Sequence, residues 1–212
     1  MSLEKKGMIA PFTILTSIIT GAGFPLLGSI LAVDLNIINE PYYDGIYLVV
    51  LGGFIAQWVL AHTIHDFIHM DIEKRVTFSK KTLKILFVVS LIMLLTIAIY
   101  LTLKRGWPVM VFSIIGGIAC IYAEGLLHHE SQMAFGAMFL VIGAFYVQVG
   151  TLYLDYIIWI KVLCMAFFAF ISQYGWLLIY RLDDYGYDEK KKNMSIFITK
   201  SAIFFLLLYF IL

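Results

Sequence analysis

The sequence predicts an all-α, polytopic transmembrane helical bundle of about seven spans, forming a single domain over residues 1–212. Three observations lead there. Hydrophobic residues make up 62% of the chain and charged residues only 14%, against typical soluble values of about 45–50% and about 25%. That excess is too large for one soluble core. The apolar residues also fall in blocks of about 20, the length that carries a helix across the hydrocarbon at about 1.5 Å per residue. No block keeps the period-2 alternation that a membrane barrel strand requires.

The blocks cover 8–33, 45–64, 82–103, 108–127, 133–154, 156–180 and 195–212. The first is too long for the apolar core of a removable signal peptide, so it reads as a retained span. No Pro-, Gly- or Ser-rich linker divides the chain, and the loops are short. Gly21, Gly23 and Gly28 in the first block and Gly116 and Gly117 in the fourth are small residues of the kind that let helices approach closely in lipid. The loop 34–44 carries Pro41, Tyr42 and Tyr43, the composition of an interfacial aromatic anchor. Cys120 and Cys164 lie within apolar blocks without CxxC spacing, which speaks against a disulfide framework or zinc knuckle and for packing or lipid contact.

The net charge of +1 gives no sign of a nucleic-acid partner, and the placement of the charges says more. Threading seven spans sorts the polar residues into two sets. One holds 12 of the 15 Lys and Arg: Lys5, Lys6, Lys74, Arg75, Lys80, Lys81, Lys84, Arg181, Lys190, Lys191, Lys192 and Lys200. The other holds Lys104, Arg105 and Lys161. The positive-inside rule then makes the N-terminus and the loops after the second, fourth and sixth spans cytoplasmic, with the C-terminus outside the cell membrane. All five histidines and ten of the fourteen acids share that cytoplasmic side. Acids and bases cooperating in a site would explain this; simple balancing of nearby bases is the plainer alternative.

At the end of the second block the sequence reads His62-Thr-Ile-His65-Asp66-Phe-Ile-His69-Met-Asp71-Ile-Glu73-Lys74-Arg75. On a helix His62, Asp66, His69 and Glu73 share one face, a stripe able to hold a divalent cation. Ionisable groups at a span end are costly unless solvated, paired or liganded, and a water-exposed helix end meets that condition too. From Asp66 to Asp71 the step is five, about 140° around an ideal helix. The helix must therefore end or bulge before Asp71 for both acids to reach one ion.

At the end of the sixth block comes Tyr180-Arg181-Leu-Asp183-Asp184-Tyr-Gly-Tyr-Asp188-Glu189, followed by Lys190, Lys191 and Lys192. Asp184 and Asp188 are i and i+4 and face the same way, with Arg181 one turn earlier. Magnesium prefers oxygen ligands and is commonly held by one or two carboxylates together with substrate phosphates. Paired carboxylates beside a lysine cluster supply that combination. Two such segments on one side would frame a metal-diphosphate site above a hydrophobic cavity.

In these residues the chain resembles the UbiA superfamily of intramembrane prenyltransferases, including its naphthoate and other quinone-precursor branches. That family carries an Asn-xxx-Asp-xxx-Asp-like motif after its second span and an Asp-xxx-Asp motif after its sixth. The stretch from Arg181 to Glu189, followed by Ser195-Ile-Phe-Ile-Thr199-Lys200, is similar to the second motif and its downstream context. Asp66 and Asp71, with Arg75 and Ser79-Lys80 beyond them, resemble the first. Tyr122-Ala-Glu124-Gly-Leu-Leu-His128-His129-Glu130 stands where the family often has a tyrosine and a basic residue, with histidines here in place of lysine. The chain departs from the pattern with His62 at the Asn position, Thr63 at the acid that often follows, and about seven spans where the family has nine.

The resemblance implies a shortened version of that nine-helix fold and a Mg²⁺-dependent transfer of an isoprenoid chain. The donor would be a prenyl diphosphate and the acceptor an aromatic or lipid molecule, as in quinone biosynthesis. Asp66, Asp71, Asp184 and Asp188 are then the metal ligands. His62, Arg75, Lys80, His128 and Arg181 bind substrate, while His65, His69 and Tyr122 are the catalytic candidates, the two histidines as bases. A reading from another class is a metal-binding membrane protein or transporter built on His62, Asp66, His69, His128 and His129, since imidazole suits zinc, copper or iron. The charges within or beside the blocks, Lys161, Glu124 and Asp155, lie near span ends, which ranks transport second. A phosphatidyl-alcohol transferase also uses clustered aspartates, but its Asp-Gly-xx-Ala-Arg opening does not occur in this sequence.

Overall fold

Hydrocarbon offers no hydrogen-bond partner, so a segment that crosses it must satisfy its own backbone groups. The computed structural model describes residues 15, 18–69, 78–125, 130–180, 182 and 186–212. Among them the chain forms seven helices and no strand. Helix α1 (Ile19–Asp34) opens with a π-helical turn, Ile19–Gly23. Helix α2 (43–69) is α-helical over Tyr43–Phe54, π-helical over Ile55–Leu60 and α-helical again over Ala61–His69. Then follow α3 (Lys80–Arg105), α4 (Pro108–Gly125), α5 (Glu130–Val149), α6 (Tyr156–Tyr180) and α7 (Glu189–Ile211).

Helices α2, α3, α5, α6 and α7 contain the five segments long and apolar enough to cross a membrane; α1 and α4 provide shorter apolar helices, Ile19–Asp34 and Pro108–Ala119. The chain is an integral membrane protein. Against the expected seven full-length spans, five helices have crossing length and two are shorter among the described residues.

Several helices overrun their apolar blocks because capping, rather than hydropathy, sets their ends. Ser79 starts α3 by accepting the Thr82 N–H at 3.2 Å, and Asp188 starts α7 by accepting the Lys190 N–H at 3.0 Å, each satisfying a donor that a helix start leaves open. Gly106 ends α3 at φ 98°, a conformation without steric cost only for glycine. Pro108 then opens α4, where its missing N–H sacrifices no bond.

Packing makes α5 the hub. In its span 56% of residues are buried, against 17% in α3 and in α7, so those two helices turn most of their surface to lipid. Helix α5 packs on α1, α2, α4 and α6, and α6 packs on α7. Its Ala134, Ala137, Val141 and Phe145 are fully buried, and the small ones allow the close approach that drives association in lipid. Gly28 of α1 carries this furthest, since a Cβ there would meet the backbone carbonyl oxygen of Val141. Gly21 and Gly53 meet across α1 and α2 in the same way. The sequence reading also assigned close packing to Gly23, Gly116 and Gly117. Here the structure differs: Gly23 faces only Ile19 of its own helix, and a Cβ on Gly116 or Gly117 would have nothing within 4 Å. Of the two cysteines, Cys164 is buried in the core; the Cys120 side chain lies outside the described residues.

Polar contacts fix which helix ends lie together. Tyr42 is held by Gln148, its N–H donating to Oε1 at 2.9 Å and its carbonyl accepting from Nε2 at 3.2 Å. The Tyr146 hydroxyl donates to the Arg105 carbonyl at 2.8 Å, and the Tyr209 hydroxyl donates to the Asp34 carboxylate. These contacts gather the ends of α1, α3, α5 and α7 and the starts of α2, α4 and α6 at one end of the bundle. The ends of α2, α4 and α6, with the starts of α3, α5 and α7, fall at the other. Tyr43, 60% exposed, has the outward position of an anchor, whereas the Tyr42 ring turns inward under the Arg105 guanidinium, 4.1 Å from its centroid. Burial, then a hydrogen bond to Tyr100 and the charges of Tyr100 and Asp44, push the Tyr42 phenol above its ordinary value, with Arg105 opposing. The ring facing the cation therefore stays neutral at physiological pH.

Gln148 is 2% exposed. Gln148→Leu leaves the Tyr42 N–H without this partner, while the carbonyl keeps the Ile46 N–H at 3.0 Å, and an unsatisfied buried group costs about 1–3 kcal/mol. Unfolding in a denaturing-detergent titration should show a loss of that size.

Candidate functional site

The described parts of the polar segments lie at the end of the bundle that collects the ends of α2, α4 and α6. That end is described by the last stretch of α2, Ala61–His69, which packs on α3 and α4, and by the start of α7 beside the end of α6. Between α2 and α6 lies the π-helical start of α1. Thr20 donates to Gln173 of α6 at 2.6 Å, and a Cβ on Gly21 would lie 3.0 Å from Phe54 Cα of α2. The buried Thr20, Gln57 and Gln173 give this region a polar interior beneath the acidic ends.

His62 is exposed and Asp66 half-buried on α2, one turn apart as the stripe requires. Lys80, exposed, opens α3. Asp188 is exposed and its Oδ1 caps α7. His65 and His69 lie on α2 and Tyr122 on α4, but their side chains lie outside the described residues. Asp71, Arg75, His128, Arg181 and Asp184 also lie outside them, as do His129 and Glu73.

Two helices begin at this end with lysines in or beside their first turn: Lys80, Lys81 and Lys84 on α3, and Lys190, Lys191 and Lys192 on α7. Helix starts already present partial positive charge, and lysine there works against the dipole. Glu189 offsets this on α7, while α3 has no acid in its first turn. The placement costs helix stability and yields a field that attracts anions.

Further into the membrane, α2, α3, α4 and α5 enclose a cavity of about 320 Å³. Among the described residues its lining is aliphatic and aromatic, with Ser113 the one polar side chain. It reaches Leu60, two residues before His62. The sequence reading expected a hydrophobic cavity below the acidic segments but not which helices line it; Gly116 and Gly117, which do, read there as close packing.

Among the described residues no group of three or more His, Cys, Asp or Glu side chains could hold a metal ion. The donor chemistry of the acids nonetheless fits a hard cation: Asp66 and Asp188 offer carboxylate oxygens, and the capping role of Asp188 uses one of its two.

No protein-family model, no curated protein and no solved structure matches the chain.

Proposed function

We propose that the chain is an intramembrane prenyltransferase, moving an isoprenoid chain from a prenyl diphosphate to an aromatic or lipid acceptor. The observation that supports this reading is that α2 and α6 finish at the same end of the bundle, where Asp66 of α2 and Asp188 at the start of α7 lie. Lysine-bearing helix starts at that face, and an apolar cavity beneath it, supply the other two requirements of such a substrate.

In this reading Asp66, Asp71, Asp184 and Asp188 hold Mg²⁺, which when bound neutralises charge on the departing diphosphate. Lys80, Arg75 and Arg181 hold phosphate oxygens through charge-assisted hydrogen bonds, joined by His62 and His128. As the bond to diphosphate lengthens, the allylic carbon becomes cation-like, and aromatic faces stabilise it. The acceptor attacks that carbon, and His65 or His69 takes the proton it releases, with Tyr122 as the third catalytic residue. Spans at all seven helices, with the N-terminus and this face cytoplasmic, complete the proposal, because among the described residues Lys80, Lys81, Lys84, Lys190, Lys191 and Lys192 gather at this end.

The test is diphosphate release by purified protein given Mg²⁺, a labelled prenyl diphosphate and a panel of acceptors. Release that stops with Asp184→Ala supports the reading; release unchanged in Asp184→Ala and in Asp188→Asn removes the site. Tight Zn²⁺ binding by calorimetry, with no Mg²⁺-dependent release, selects the histidine-based metal site instead.

A further inference from the structure

The end of the bundle opposite the acidic segments holds Lys104, Arg105 and Lys161, each over a tyrosine ring. Two of these pairs are joined. The Tyr42 and Tyr100 side chains are hydrogen-bonded to each other, with the Arg105 guanidinium 4.1 Å from the Tyr42 centroid and the Lys104 Nζ 5.9 Å from the Tyr100 centroid. Lys104 and Arg105 therefore flank one tyrosine pair, at the corner where α3 turns into α4.

A ring face attracts the charge of a guanidinium without accepting its five N–H groups in ordinary hydrogen bonds. Among the described residues no carboxylate pairs with Lys104 or Arg105, and no acceptor takes an Arg105 side-chain N–H. Arg105 is nonetheless half-buried, and it lies against Gly150, where a Cβ would stand 3.5 Å from Nη1. A cation at the end of α5 suits the helix dipole, which explains where the guanidinium sits but not what its donors meet. Acids at this end have other places: Asp34 accepts from the Tyr209 hydroxyl, Asp155 accepts the Ile157 N–H at the start of α6, and Glu40 is exposed in the loop before Tyr42. Asp44 is the one acid whose charge acts on Tyr42. Two cations against one carboxylate leave a local excess of one positive charge.

The surroundings are those of a lipid surface. Trp107, Tyr43 and Tyr47 are exposed, aromatic residues of the kind that settle at head-group level. Below Lys104 on the same face of α3 come Tyr100, Met93 and Val89, at steps of four, seven and four, and all three are exposed. An apolar stripe thus leads from the cations into the hydrocarbon.

We propose that Lys104 and Arg105 form a phosphate site for one anionic phosphodiester lipid, whose acyl chains lie along the Tyr100, Met93 and Val89 face of α3. The lipid's single negative charge matches the local excess. Its two unesterified phosphate oxygens fit the planar fork of Arg105, and Lys104 meets them as a point charge. Soluble phosphate offers the same oxygens, but the exposed stripe beside the cations selects a lipid. The site stands apart from the candidate active site and does not rest on the prenyl-transfer reading.

Native mass spectrometry of the full chain in detergent, titrated with phosphatidylglycerol or phosphatidylcholine, tests it. At about fivefold per cation near a lipid surface, the first phosphatidylglycerol should bind on the order of tenfold more tightly than the first phosphatidylcholine. Lys104→Gln, at an exposed position, should weaken phosphatidylglycerol about fivefold with the unfolding midpoint unchanged. Lys104→Gln/Arg105→Gln should abolish the preference, and Arg105→Lys, which keeps the charge but not the fork, should fall between that protein and the native one. Lys190→Gln/Lys192→Gln, at the other end of the bundle, should leave the preference as it was. Equal binding of the two lipids overturns the proposal. So does a preference that moves with the Lys190 and Lys192 changes and not with Lys104→Gln, or displacement of bound phosphatidylglycerol by millimolar inorganic phosphate, which would mark a soluble-anion site.

Discussion

Asp188→Asn protein should melt with the native protein and yet release diphosphate on the order of a hundredfold more slowly. The two effects separate because Asp188 caps a helix and, in the proposed reaction, also holds the metal. Its Oδ1 accepts the Lys190 N–H and caps α7, and asparagine caps a helix about as well as aspartate. What asparagine lacks is the charge that a magnesium site needs, and losing several kcal/mol of charge stabilisation slows a reaction tenfold for each 1.36 kcal/mol, or about a hundredfold for two such steps. Asp188→Ala, by contrast, should cost about 1 kcal/mol of stability as well, the usual value of a lost cap. Equal melting and equal release in Asp188→Asn would reduce this residue to its capping role. Thermal unfolding in detergent and a coupled diphosphate assay read the two effects independently.

Gly28→Ala should be the most destabilising single-methyl change in the bundle, while Gly116→Ala should be neutral or stabilising. At Gly28 the new Cβ meets the Val141 carbonyl oxygen, and both partners are backbone, so no side chain can move aside. Helices α1 and α5 must part, an overpacking that costs about 1–3 kcal/mol or more. At Gly116 nothing lies within 4 Å, and alanine recovers the roughly 0.5–1 kcal/mol that glycine costs inside a helix. Opposite shifts in unfolding midpoint are expected from one chemical change. Equal shifts would mean that the close contact of α1 with α5 does not hold in the membrane.

The contrast also shows where sequence reading succeeds. Both glycines look alike in the sequence, each inside an apolar block, and only the neighbour decides whether the missing side chain admits another helix or leaves space. Helix number and order were legible, because lipid forces long apolar blocks into one secondary structure. Helix starts at Ser79 and Asp188 were legible in principle from capping residues, but hydropathy alone placed the last helix too late, at 195 instead of Glu189. The central place of α5 was not legible: its composition resembles that of α3, yet one is enclosed and the other faces lipid. For the candidate site, the finish of α2 and α6 at one end of the bundle followed from counting spans. The helical step from His62 to Asp66 was equally readable. The inward turn of Tyr42 was not, since it depends on Gln148 and Arg105 from distant parts of the chain.

The π-helical stretch Ile55–Leu60 has a consequence for how this chain tolerates change in length. Wider hydrogen-bond rings absorb an additional residue without lengthening the helix much, so everything beyond Leu60 is angularly offset from an uninterrupted α-helix. Deleting one residue from 55–60 would restore ordinary winding and leave His62 and Asp66 on about the same face, whereas the same deletion in an α-helical stretch such as Tyr43–Phe54 would swing them by about 100°. The π-helical stretch thus acts inside the helix as a surface loop does elsewhere, taking up a change of one residue without re-aiming the polar tip.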